Sequence, residues 1–338
     1  PNNVETFCYY NNTVVDQTTN RLKVFSNHWR SIYNVSDIDV IKLIKNDKID
    51  ILVDLSGHTA KNRLLVFAKK PAPIQISWLG YVNTTGLMAM DYRFTDIIAD
   101  PIGEADDLHS ESLFRLPNGF QCYKGNESSR IEIDLPQKNT GYITFGSFNN
   151  LSKVTPDVIK AWSKILHTVP KSKLLLKSSQ INQDISHYLR NLNNEGIPDN
   201  RIKFYGMLPN KKDHLELYNK IDIGLDTFPF NGATTTCEAL WMGVPVITIA
   251  GDRHVSRVGA SILTNVGLKD FIADDIDNYV KLACKLSVKI DYLQKIRRGL
   301  RARMLGSPLC DGKSFAKDIE SAYQNVWRYY LFEVRDNT

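Results

Sequence analysis

The chain has 338 residues, enough for two domains of ordinary size, each with its own core. Its 43% hydrophobic and 23% charged content is that of a globular protein, and no run of about 18 apolar residues exists to form a transmembrane helix. The net charge of +5 is spread along the chain, with Lys69, Lys70 and Lys211, Lys212 as the local basic spots, so no stripe for nucleic acid is expected.

Chain order begins with Pro1, which leads directly into a strand-like run without a charged-then-apolar leader; the sequence reads as a fragment of a longer protein. Strands are expected over residues 4–10, 49–55, 74–78 and 92–98, with helical patterns over 40–45 and 63–69. Ser36, three residues before Asp39, has the form of an N-cap with an acidic first turn. A polar stretch over 124–140 reads as an interdomain connection. Strands then resume over 143–148, 173–177, 202–205, 221–225 and 244–249, with helices beginning near Pro156, residue 181, Lys211, Thr234 and Val258. Beyond Asp275 the chain reads as helical, ending in an amphipathic stretch over 315–330. The alternation predicts an α/β protein of two doubly wound, Rossmann-like lobes with a ligand cleft between them. The expected divisions are 1–130, 141–305 and a helical segment 306–338. Five cysteines without CxxC spacing (Cys8, Cys122, Cys237, Cys284, Cys310) argue against zinc or disulfides and for a reducing, cytoplasmic compartment.

In such lobes the chemistry belongs to the loops that follow strands. After the strand over 221–225 comes Asp226, then Gly232, Ala233, Thr234, Thr235 and Thr236 at a helix start, a natural cradle for phosphate. Glu238, about one turn on, could accept from a ribose hydroxyl; alternatively Thr234 is a simple cap. After 143–148, Asn149, Asn150 and Lys153 stand before a helix, and Lys153 could pair with a diphosphate or be an ordinary solvated lysine. Lys211 could reach phosphate and His214 could lay its ring on a base, or His214 could merely pack. Asp54 and His58, four residues apart at a strand end, are candidates for proton transfer or for satisfying a tight turn at Gly57. Gly80 and Tyr81 lie in a glycine-bounded loop that could approach a sugar, and Arg257 could see phosphate or hold the cleft together. No GxGxxG or Walker pattern is present and no DxD appears in a strand-end loop, which argues against a dehydrogenase, an NTPase or a metal-bridged diphosphate.

Several runs together resemble the O-GlcNAc transferase family, its bacterial and SPINDLY-like branches above all. They are Pro71, Ala72, Pro73, Ile74, Gln75 with Trp78, Leu79, Gly80, Tyr81; Met90, Asp91, Tyr92; Phe148, Asn149, Asn150 with Lys153; Leu225, Asp226, Thr227; and residues 231–243 and 251–259. The resemblance runs in order from about residue 4 to 330. It implies an inverting, metal-independent GT-B transferase that needs no cofactor and moves GlcNAc from UDP-GlcNAc onto Ser or Thr of proteins, with no membrane or nucleic-acid partner. In that scheme Lys153 helps the nucleotide leave and Lys211 and His214 meet phosphate and uracil. Thr234 and Thr235 cradle the phosphates, Glu238 holds the ribose, Asn150 sits near base and ribose, and Asp54 and His58 are base candidates. The sequence departs from the animal enzymes at Ala233 (their histidine), Glu238 (their aspartate) and Val82, Asn83 (their Pro-Gly). The family's first strand and helix and its preceding tetratricopeptide repeats are expected upstream of Pro1. GDP-fucose or UDP-glucose as donor, and a non-catalytic nucleotide-sugar-binding scaffold, stay open as alternatives.

Overall fold

Short apolar runs flanked by turns become parallel strands in both halves of the chain, because helices cover them on their faces. The computed structural model describes residues 4–177 and 185–336, so the helix start expected near residue 181 lies outside the described residues. Two compact units result: Pro1–Thr95 with Ile102–Phe120 and Phe315–Thr338, and Asp96–Pro101 with Gln121–Ser314.

In the first unit β1 (Phe7–Tyr10) pairs with β2 (His28–Ser31), and β3 (Ile51–Asp54), β4 (Ile74–Ser77), β5 (Tyr92–Thr95) and β6 (Ser112–Arg115) form a parallel sheet in that order. Every residue of β4 is buried. The core gathers Val40 and Ile44 of the helix Asp37–Asn46 and Leu64, Val66 and Phe67 of the helix Leu64–Ala68 against Leu52. Ser36 caps the first of these by accepting from the Asp39 N–H at 3.2 Å, as the sequence suggests. The strands β2 and β6 and the helix Gln17–Phe25 were not expected: β2 and β6 carry His, Arg and Ser, and that helix has no buried residue, so neither offers an apolar pattern.

The second unit holds β7 (Thr144–Ser147), β8 (Lys173–Lys177), β9 (Ile202–Tyr205), β10 (Ile223–Leu225), β11 (Val246–Ile249) and β12 (Ile272–Ala273). Their order, β12-β11-β10-β7-β8-β9 with every pair parallel, is doubly wound. The chain starts in mid-sheet, winds outward to β9, then returns to the other side of β7. The loops after β7 and β10 therefore diverge at the switch point, where such sheets bind ligands. The helix Pro156–Thr168, capped by Thr155, buries Val158, Ala161, Trp162 and Ile165 and packs on the helix Ile276–Ser287, where the Trp162 ring N–H donates to the Tyr279 hydroxyl at 3.2 Å.

The stretch over 124–140 does not behave as a free connection. Arg297 donates to the Glu132 carbonyl at 2.8 Å, Gln294 to that of Ile133 at 2.7 Å and Trp241 to that of Asn126 at 3.0 Å, while Leu135 is fully buried. Its backbone is thus satisfied by the second unit, and the units part at Phe120 and Gln121 rather than at 130 or 141. The terminal helix Gly312–Asp336 begins in the second unit and belongs to the first from Phe315 onward, so 306–338 is not a separate segment.

Candidate functional site

At the switch point of the second unit Asp226, at the end of β10, organises the loop that follows. Its carboxylate, 1% exposed, accepts from the Gly232 N–H at 2.7 Å, the Thr227 N–H at 2.9 Å, the Asn149 amide at 3.1 Å and the Thr248 hydroxyl at 2.8 Å. Burial pushes its carboxyl up to about 6, although the Gly232 and Thr248 donors and the Lys153 charge favour the ionised form. The Asp226 carbonyl is in turn held by the Tyr279 hydroxyl at 2.9 Å. Gly232 sits where a Cβ would stand 2.8 Å from both Asn149 Oδ1 and Thr236 Oγ1, so only glycine lets the loop close onto the carboxylate.

Lys153 reaches this loop from β7. Asn150 caps the short turn Leu151–Lys153 by accepting from the Ser152 N–H at 3.0 Å, which aims the lysine inward. The Lys153 ammonium donates to the Asn231 carbonyl at 2.8 Å and lies 3.7 Å from the centre of the Phe230 ring. Burial lowers its pKa, with the Asp226 charge acting in the opposite direction. Asn231 is itself fixed, its amide donating to the Thr227 carbonyl at 3.0 Å and its oxygen accepting from the Gly259 N–H at 3.2 Å.

The helix Thr234–Trp241 starts at this point with Ala233 at the cap position and no side-chain cap, so Thr234 is not the cap. The first-turn N–H groups therefore keep their capacity to bind an anion. Thr234 is exposed and Thr235 half-buried. Thr236, expected to touch ligand, is 2% exposed and donates to the Gly232 carbonyl at 3.1 Å: its hydroxyl is spent on shaping the loop. Glu238 meets His214 across the unit, with Nε2 to carboxylate oxygen at 2.9 Å. The His214 ring lies against Phe148 and Tyr218 at 6.0 and 5.8 Å. His214 Nδ1 and Asn149 Oδ1 are buried and have no hydrogen-bond partner among the described residues. Lys211 is exposed at the start of the helix Lys211–Glu216. Arg257 does not face this loop with a free guanidinium; it donates to the carbonyls of Ile98 at 2.7 Å and Gly251 at 2.8 Å.

In the first unit Asp54, at the end of β3, accepts from the N–H groups of Ser56 at 3.1 Å and Gly57 at 2.8 Å. Burial raises its pKa, opposed by those two amides and by His58. The carboxylate thus serves the Gly57 turn, the bland alternative of the sequence reading. His58 is exposed, its Nε2 2.8 Å from the Thr85 carbonyl and its ring edge-on to Tyr81 at 5.3 Å. Gly57 and Gly80 allow two loops to touch at bare backbone: a Cβ on Gly80 would lie 1.7 Å from the Leu55 carbonyl oxygen, and one on Gly57 2.1 Å from Tyr81 Cβ. Arg93 donates to the Tyr81 and Asn83 carbonyls at 2.8 and 2.7 Å and holds that loop from below.

The structure therefore brings Asn150, Lys153, Gly232, Thr234 and Thr235 to one strand-end region, joins His214 to Glu238, and places Asp54, His58, Gly80 and Tyr81 together in the other unit. Asp226, Asn149 and Asn231 were not singled out from sequence as site residues. A strand-end aspartate six residues before a glycine was the available signal for the first.

The profile of glycosyl transferase family 41 matches residues 1–126 and 123–319. A probable UDP-N-acetylglucosamine–peptide N-acetylglucosaminyltransferase SPINDLY from Oryza sativa subsp. japonica is 45% identical over 89% of this chain, and the match spans 33% of that relative. The Arabidopsis thaliana protein of the same description is 44% identical over 89% of the chain and 33% of its own length. Among solved structures, a mutant of the Thermobaculum terrenum O-GlcNAc transferase superposes with a TM-score of 0.89 at 34% identity, over 98% of this chain and 63% of that one. Anabaena HepE in complex with UDP-glucose, 15% identical with a TM-score of 0.57 over 92% of this chain and 90% of that one, shares the fold alone. The chain spans about a third of the length of these curated relatives, and no helix among its described residues is long and apolar enough to cross a membrane.

Proposed function

We propose, because the chain belongs to glycosyl transferase family 41, that it is the catalytic part of a protein O-glycosyltransferase whose second unit grips the diphosphate of a nucleotide sugar. The observation that carries this is the Lys153 ammonium held at the Asn231 carbonyl beside the uncapped start of the helix Thr234–Trp241. An ammonium and a helix start together neutralise a diphosphate without a metal or other cofactor. When the bond from the sugar to the diphosphate breaks, its electron pair goes to the diphosphate oxygen, and Lys153 stabilises the charge that develops there. The Thr234 and Thr235 hydroxyls and N–H groups hold the phosphates, with Lys211 at their outer side. Glu238 takes a ribose hydroxyl, and Nδ1 of His214, without a hydrogen-bond partner among the described residues, serves the base or ribose. In the first unit we assign the exposed imidazole of His58 as proton acceptor from the attacking hydroxyl, and Asp54 as the group that fixes its turn. Gly80 and Tyr81 shape the loop beside it.

UDP-GlcNAc is the donor we favour and Ser or Thr of proteins the acceptors; the descriptions of the plant relatives, which name UDP-N-acetylglucosamine and a peptide, support the donor and a protein acceptor. Tetratricopeptide repeats upstream and a cytoplasmic setting complete the reading. Lys153→Ala is expected to abolish transfer from UDP-GlcNAc to a peptide, and to weaken UDP at least about tenfold in calorimetry while leaving the fold intact, since one charge-assisted contact to phosphate contributes about 1.5–3 kcal/mol. Undiminished turnover in that variant would remove the lysine from the mechanism, and GDP binding more tightly than UDP would overturn the donor assignment.

A further inference from the structure

At the opposite edge of the second unit's sheet, a pocket of 290 Å³ opens among the first residues of β7 and β8, the strand β9 and the segment before β10. It shares no lining residue with the switch-point site. Its walls carry Lys173, Lys203 and Lys220, the rings of Tyr142 and Tyr205, and an apolar floor at Leu175. No aspartate or glutamate lines it. Among the described residues none of the three lysines forms an ion pair with a carboxylate. They rest instead on the tyrosines: Lys173 is 4.7 Å from the Tyr142 ring centre, Lys203 and Lys220 are 5.0 and 5.2 Å from that of Tyr205, and Lys220 donates to the Tyr205 hydroxyl at 3.3 Å.

Three ammonium groups around one concavity repel each other, and no carboxylate in the lining offsets that repulsion; the nearby Asp222 is taken up by the N–H groups of Thr144 and Gln137. The concave walls focus the positive potential of the three ammonium groups inside the pocket, and the rings and aliphatic floor offer apolar surface beside it. A dianion gains about twice as much from such a field as a carboxylate does, and lysines act on phosphate as point charges without needing a planar partner. The volume sits at the lower end of the range for small-molecule sites, about 300 Å³, and so has room for a phosphate with a sugar-sized body rather than for a polymer. We propose that this pocket is a second binding site, for a small phosphate monoester, with Lys203 and Lys220 on the phosphate and Tyr142 and Leu175 against its organic part.

Glucose 6-phosphate is the probe, titrated calorimetrically into the full chain at low ionic strength with saturating UDP present to occupy the switch-point site. Saturable one-to-one binding is expected, with no response to glucose. Lys203→Ala/Lys220→Ala is expected to weaken binding at least tenfold. Lys281→Ala/Lys285→Ala, which removes the same charge from an exposed helix face of the same unit, is expected to bind as the unaltered chain does. Both double variants replace exposed side chains, and thermal melts matching the unaltered chain verify their folds. Three results would each overturn the proposal: no saturable binding, binding that UDP abolishes, or equal weakening in the two double variants.

Discussion

Replacing Asp226 by Asn and by Ala separates what its charge costs from what its oxygens hold together. Burial moves the carboxyl from 3.8 to about 6 in the folded chain, against the pull of its donors. A rise of about two units corresponds to about 3 kcal/mol charged against the ionised form. Below 3.8 the group is neutral in both folded and unfolded chains and contributes nothing. Between 3.8 and about 6 the unfolded chain gives up its proton first, so stability falls as pH rises, and above about 6 the full cost is present. Asp226→Asn keeps an oxygen for the Gly232 and Thr227 N–H groups, and the Thr248 hydroxyl can turn to accept from the new amide. It should therefore match the unaltered protein near pH 4 and exceed it at pH 8 by up to about 3 kcal/mol. Asp226→Ala strands the same buried donors, at about 1–3 kcal/mol each, and should be less stable at both pH values. Urea unfolding at pH 4 and pH 8, followed by tryptophan fluorescence, gives the comparison. Asp222, also raised to about 6 by burial, is common to all three proteins and drops out of the differences. The reasoning fails if Asp226→Asn is the weaker protein at pH 8, or if its advantage is the same at both pH values.

Two further substitutions probe the loops. Glu238→Gln preserves shape and a bond to His214 but removes the charge, so UDP should weaken about five- to tenfold while inorganic pyrophosphate, which lacks a ribose, should bind as before. An equal loss for both ligands in calorimetry would take Glu238 away from the ribose. Gly80→Ala would drive a methyl group to 1.7 Å from the Leu55 carbonyl oxygen, with the Gly57 turn behind it. Thermal denaturation should show a loss of about 3 kcal/mol or more, and a variant that melts with the unaltered protein would contradict the packing described.

Five of the six strands of the second unit were legible as short runs between turn signals, β8, β10 and β11 being mostly buried apolar residues; β8 and β9 fall at the expected residues without change, whereas the two-residue β12 was not expected. The strands β2 and β6 were not, since pairing with a neighbour, and not their own side chains, makes them strands. The polar composition over 124–140 is that of a linker, and nothing local reveals that Gln294 and Arg297, more than 150 residues away, will take up its carbonyls. That Lys153 and the glycine–threonine turn lie in loops after strands was legible from their positions, and the structure joins those loops through the Lys153 ammonium and the Asn231 carbonyl. The His214–Glu238 pair could not be, because 24 residues and a β-strand separate the partners in sequence. Asp226 escaped for a different reason: its role is to accept from the loop that follows, and sequence spacing does not show where that loop will fold back.

The terminal helix has one more consequence, for the order in which the first unit can be finished during synthesis. Phe315 stacks on Trp78 at 6.0 Å, Tyr323 packs on Phe94 at 5.7 Å, Asp318 accepts from Asn118 at 2.9 Å, and Ala322 and Val326 are fully buried. Each pair is separated by 200 residues or more, and the segment Gln121–Ser314 of the second unit emerges from the ribosome between them. Until the last helix arrives, Trp78 and Phe94 are without their covering rings, and a nascent chain in that state is a natural client for chaperones. Any truncation ahead of Phe315 would make that exposed intermediate permanent.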